Sequence, residues 1–106
     1  MKPDKVLSML GLAAKAGRVV SGEFSTEKAV KAQKAYLVIV AEDASQNTQK
    51  MFTNMTNFYK VPMYRYGVKE VLGRALGKEM RASLAVTDQG LAHSIEDKLK
   101  QMLTTE

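Results

Sequence analysis

Tyr36-Leu37-Val38-Ile39-Val40-Ala41 decides the fold. The run is uninterrupted, apolar and rich in β-branched side chains. With no polar alternation, it suits a strand covered on both faces, and hence a sheet with helices on both sides. Glu42-Asp43-Ala44-Ser45 follows as a loop, in which Ser45 is a good N-cap. Thr48, Met51, Phe52, Met55 and Phe58 or Tyr59 then recur at helical spacing, which predicts an amphipathic helix over 46–60. Val61-Pro62 breaks it, and Met63-Tyr64-Arg65-Tyr66 reads as a short strand. Val68, Val71, Leu72, Ala75 and Leu76 give another helix, stopped by Gly77. Residues 82–87 form a further strand. Asp88 caps a last helix whose apolar stripe is Leu91, Ile95, Leu99, Met102 and Leu103.

Upstream of the run, Val6, Met9, Leu10, Ala13 and Ala14 predict a helix over 3–16, with Pro3 in its first turn and Gly17 beyond its end. Val19 and Val20 make a short strand that ends at Ser21-Gly22. Residues 25–34 read as a weak helix, small at Ala29, Val30 and Ala32 and basic at Lys28, Lys31 and Lys34. The order α-β-α-β-α-β-α-β-α predicts an α/β protein, a three-layer α/β/α sandwich with a largely parallel or mixed sheet. The 106 residues suffice for one domain and one core. In such sheets ligands meet the loops at strand ends.

The formal net charge is +5, and it is unevenly placed. Residues 1–34 carry seven Lys/Arg against three Asp/Glu, and residues 50–81 carry seven against two. The intervening segment and the C-terminal segment are both mildly acidic. Two basic blocks attract a polyanion and release its counterions, although a solvated surface accounts for the same charge. No cysteine is present, which excludes disulfides, a thiolate nucleophile and zinc ribbons. The single histidine, His93, falls about 200° around the last helix from Leu91, on its wet side, at ~100° per residue. No apolar run reaches the ~18 residues of a membrane span, and Met1-Lys2-Pro3-Asp4-Lys5 opens a helical pattern rather than a signal peptide. A cytoplasmic protein without membrane, metal or small-molecule cofactor is expected, and a monomer. Gly73-Arg74-Ala75-Leu76-Gly77-Lys78 is one residue short of a phosphate loop, has Glu79 in place of the magnesium-binding hydroxyl, and lies in a helical segment. Asp43, Asp88 and Glu42 read as loop and cap residues rather than an acid pair. No enzyme is indicated.

Two connectors are chemically unusual. After Gly22, the exposed N–H groups of a helix start favour negative or electron-rich partners. Ser25 and Thr26 add hydroxyls for capping or for a base or ribose edge, and Lys28 and Lys31 share one face. Ordinary capping beside a solvated lysine face explains the same residues. In Gly77-Lys78-Glu79-Met80-Arg81, a flexible thioether stands between two cations. Taken alone, Met80 is expected to fold back over the core edge. Taken with the Gly22 connector, at one end of the sandwich, it is placed to pack on an unstacked base, with Lys78 and Arg81 on phosphates.

The order of elements, Gly22 with Lys28-Ala29-Val30, the strand-loop Val38-Ile39-Val40-Ala41-Glu42-Asp43-Ala44-Ser45, and Leu72-Gly73-Arg74-Ala75-Leu76-Gly77 together resemble the L7Ae-type ribosomal protein family, which binds kink-turn RNA. Within it, Asp43-Ala44-Ser45-x-Asn47-Thr48 resembles the bacterial YlxQ-like branch. The resemblance spans nearly the whole chain. It implies a mixed four-stranded sheet and binding to a kinked RNA with sheared G·A pairs. In the family a Gly-x-Asn-Glu-x-x-Lys stretch reads those pairs. Gly22 and Lys28 match its ends, whereas Phe24 and Ser25 stand at its Asn and Glu. A serine oxygen is a shorter, weaker acceptor than a carboxylate, and Phe24 can stack on a base instead. Lys78 and Met80, with Arg81 behind, match the family's loop around a protruding nucleotide. Asp43 and Ser45 occupy the family's contact loop after the long apolar strand. The resemblance thus implies a non-catalytic, ribosome-associated binder of structured RNA. The alternative is a protein-interaction module on the same scaffold, in which Phe24 and Ser25 mark lost RNA recognition.

Overall fold

Leu37–Val40 forms a strand, and all four of its side chains are fully buried. It is the second of four strands in a computed structural model that describes residues 4–104. The elements are α1 (Lys5–Lys15), β1 (Val19–Ser21), α2 (Glu23–Lys31), β2 (Leu37–Val40), α3 (Gln46–Tyr59), β3 (Met63–Arg65), α4 (Lys69–Ala75), β4 (Ser83–Val86) and α5 (Gln89–Thr104). The order is the predicted one. Pro3, expected in the first helical turn, lies outside the described residues.

The sheet runs β1-β4-β2-β3. β4 lies between β1 and β2, antiparallel to both, and only the β2–β3 pair is parallel. The sheet is therefore mixed rather than largely parallel. Helices α1, α4 and α5 pack together on one face, and α2 with α3 covers the other. Ile39, Leu84, Ile95, Leu99, Leu10 and Phe52 are among the largest side chains in the core, each fully buried.

Helix boundaries depart from periodicity where the backbone decides. Helix α2 starts two residues earlier than expected, because Gly22 itself is the N-cap, with φ 92°. It stops at Lys31, because Gln33 turns left-handed at φ 59°. The Gln33 and Lys34 amides then donate to the carbonyls of Val30 and Ala29, a Schellman closure made without glycine. Asp4 caps α1 by accepting from the Leu7 amide at 3.0 Å, and it also accepts from the Tyr66 hydroxyl. The Tyr64 hydroxyl donates to Glu96 at 2.9 Å and ties β3 to α5. Burial, then Glu96, pushes the Tyr64 pKa up to about 12, so it remains a donor at ordinary pH. Of the two aromatics that could close the α3 stripe, Tyr59 packs on the core and Phe58 is exposed. The α5 stripe is buried at Ile95 and Leu99, but Met102 and Leu103 project beyond the core.

Register fixes which connectors meet. Ser21 pairs with Leu84 and Val40 pairs with Ser83, both antiparallel. The exits of β1 and β2 therefore flank the entry of β4. β3 runs parallel to β2, so its exit joins them. Four connectors share one rim.

Candidate nucleic-acid interface

The rim is built by hydrogen bonds between segments about sixty residues apart. The Gly22 amide donates to the Ser83 carbonyl at 2.9 Å. The Arg81 Nε donates to the Ser21 hydroxyl at 3.0 Å, and its Nη1 donates to the Met80 carbonyl at 3.0 Å. The two unusual connectors are thus adjacent and mutually braced. Arg81 is partly buried and commits two of its five N–H groups to that brace, so it positions the rim as well as charging it. Ser21 opens the first of these connectors, but nothing local in the sequence marks it as the acceptor for Arg81. Its only signal is its place at the end of β1.

Gly22 needs its positive φ, yet nothing lies within 4 Å of where a β-carbon would stand. The space before it is open. No side chain caps α2, so the first-turn N–H groups are presented outward. Phe24, in that first turn, is 76% exposed. Ser25 is half-buried and does not cap. Thr26 corrects one expectation. It is fully buried, and its hydroxyl accepts from Ser83 at 3.3 Å rather than facing a ligand. Its spacing from Ala29 and Val30 puts it on the buried face of α2. Lys28 and Lys31 are exposed. Lys31 pairs with Glu27 at 2.7 Å, and that hydrogen bond raises its pKa and keeps it charged.

The second connector is held by a glycine of another kind. A β-carbon on Gly73 would stand 1.7 Å from the Glu79 carbonyl oxygen. The absence of a side chain lets the segment 77–81 lie directly on α4. The Lys78 amide donates to the Gly73 carbonyl at 2.8 Å and the Gly77 amide to the Arg74 carbonyl at 3.1 Å. This Schellman pair, with Gly77 at φ 71°, turns the chain out of α4. Met80 is left 61% exposed and does not fold back over the core edge. Lys78 is exposed beside it.

Asp43 and Ser45 also sit at this rim, each with a side-chain oxygen engaged. The Asp43 carboxylate accepts from the Lys69 amide at 2.9 Å and caps α4 from across the loop. The Ser45 hydroxyl accepts from the Thr48 amide at 3.1 Å and caps α3. Asp88 likewise caps α5 at the Leu91 amide. His93 is exposed and lies 3.6 Å from Asp97. Among the described residues, no group of three or more His, Asp or Glu is placed to hold a metal ion. Among them, too, no helix is long and apolar enough to cross a membrane.

A family profile described as "Ribosomal protein L7Ae/L30e/S12e/Gadd45 family" matches residues 4–96. The chain belongs to that family. Its YlxQ-like branch is supported by two relatives. The RNA-binding protein YlxQ of Bacillus subtilis (strain 168) is 48% identical over 87 residues, 82% of this chain and 87% of that one. The protein of the same name from Enterococcus faecium is 30% identical over 97 residues, 92% of this chain and 93% of its own. Among solved structures, a protein with unknown function from Bacillus halodurans C superposes with a TM-score of 0.90 at 35% identity, covering 92% of this chain and 99% of that one. The Giardia lamblia 15.5kD RNA binding protein matches with a TM-score of 0.79 at 20% identity, covering 95% of this chain and 90% of that one. That last likeness is one of fold.

Proposed function

We propose that this chain binds structured RNA of the kink-turn kind, without catalysis, through the rim where the Gly22 and Met80 connectors meet. The observation that carries the proposal is their brace: Arg81 on Ser21 and the Gly22 amide on Ser83. It sets an uncapped helix start beside the connector that carries Lys78, Met80 and Arg81, and Phe24, Lys28 and Lys31 line the outer side of α2 as that helix leads away from the rim. The cations position phosphates, while Phe24 and Met80 stack or pack on unstacked bases. The names of the YlxQ relatives support RNA as the partner. The family's description supports association with the ribosome. An apolar partner-binding patch would be poor in lysine, and this rim is not.

A gel shift tests the proposal. A kink-turn RNA is compared with the same RNA whose sheared G·A pairs are replaced by Watson–Crick pairs. Tighter binding of the first is expected, with the rim's four cations alone contributing a log–log salt slope of roughly −3 to −4. Equal binding of both would retain RNA affinity and remove kink-turn specificity. Failure to shift either RNA at low salt refutes the proposal.

A further inference from the structure

A groove of about 490 Å³ opens on the other side of the β1 edge from Phe24. Its lining takes Lys15 from the end of α1, Ser21 from β1, Arg74 from α4 and Lys78 from the second connector. No acidic residue lines it. Close helix packing makes the groove. A β-carbon on Gly11 would stand 3.1 Å from the Ala75 carbonyl, so α1 and α4 approach backbone to backbone there. Lys15 is one turn beyond Gly11 on the same face of α1, and Arg74 adjoins Ala75. The approach that Gly11 permits therefore brings the two cations to one groove. The rest of the lining is mostly small, with Gly11, Ala14, Ala75 and Gly77 beside Val19 and Leu76.

We infer that this groove holds the sugar-phosphate backbone of a second paired arm of the RNA whose bend lies on the rim. The inference rests on the proposed RNA-binding role. Lys78 belongs to both surfaces, so a polyanion on the rim continues into the groove without a break. Among the described residues, neither Lys15 nor Lys78 is ion-paired. Arg74 is 3.3 Å from Glu70, but both side chains are more than two-thirds exposed, and such a pair yields readily to a phosphate. Small residues let a backbone approach closely, and a base-reading aromatic is absent from the lining. The RNA straddles the β1 edge, with one arm on the α2 side and the other on the α1–α4 side.

The test uses the double variant Lys15→Ala/Arg74→Ala, two surface changes, beside the wild-type protein. Three RNAs are compared: a kinked RNA with two full stems, and two versions with one stem or the other cut back. On the full RNA, the double variant is expected to bind about tenfold more weakly, with a salt slope shallower by roughly 1.8, about 0.9 for each lost phosphate contact. Cutting back one particular stem should abolish the difference between variant and wild type. Wild-type-like affinity and slope on the full RNA would overturn the inference while leaving the rim intact, and would point to an acidic protein segment as the groove's occupant. Equal weakening on all three RNAs would also overturn it, because the two cations would then serve the rim alone. Failure of the wild-type protein to bind any of the three would refute the rim and the groove together.

Discussion

Two connectors leave the same end of the sheet, one after β1 and one after β2, and they differ in what their polar groups do. After β2, the Asp43 carboxylate caps α4 and the Ser45 hydroxyl caps α3. One Asp43 oxygen and the Ser45 hydroxyl are engaged before any ligand arrives. After β1, the helix begins on a bare glycine, no side chain caps it, and Phe24 projects into solvent. Sharing a rim therefore does not mean sharing a task. The β2 connector caps two helices with its side chains, and the β1 connector caps none.

The contrast can be broken most forcefully from beneath the second unusual connector. Gly73→Ala would drive a methyl into the Glu79 carbonyl, backbone against backbone. A destabilisation of about 2–3 kcal/mol is expected from overpacking, read as a lower denaturant midpoint, with loss of RNA binding. An unchanged midpoint would mean that segment 77–81 yields easily and is not held by α4. Phe24→Ala sharpens the contrast next. It should cost about 1–3 kcal/mol of RNA binding through lost stacking, with the salt slope and the thermal midpoint unchanged. Unaltered affinity would place the aromatic outside the interface.

Asp43→Ala and Ser45→Ala probe the other connector. Each should lower folding stability by about 1 kcal/mol, as lost caps do, and leave RNA affinity at the wild-type value. A loss of affinity without a loss of stability would erase the distinction between the two connectors. The smallest effect is expected for Lys78→Ala. Its salt slope should be shallower by about 0.9 on any RNA that binds, with stability within about 0.5 kcal/mol of wild type. A steeper loss for one RNA sequence than another would give Lys78 a base contact rather than a phosphate.

Much of the fold was legible because burial on both faces of a strand leaves a plain mark. Leu37–Val40 shows it, and so does the alternation of helical stripes with short β-branched runs. What stayed hidden was set by backbone conformation and by strand order. Gln33 ends α2 in a left-handed turn that glycine usually marks. The insertion of β4 between β1 and β2 is long-range pairing that no local pattern announces. The site was legible in part. Charge and loop chemistry single out Gly22, Lys28, Lys78 and Met80, and Lys28, Lys78 and Met80 are exposed, as is Phe24, which only the resemblance names. Thr26 is not, because a hydroxyl one turn before a buried Val30 follows the helix inward. Lys15 and Arg74 gave no signal, since their convergence depends on how closely α1 approaches α4 at Gly11.

The bare α-carbon of Gly73 has a consequence for recognition energetics. With its turn already closed by two backbone hydrogen bonds and seated on α4, segment 77–81 pays little backbone entropy when a partner docks. The rotamers of exposed side chains such as Lys78 and Met80 remain to be frozen. A preorganised latch of this kind favours slow dissociation over fast capture, so variants that loosen it should shorten the lifetime of a complex more than they slow its formation.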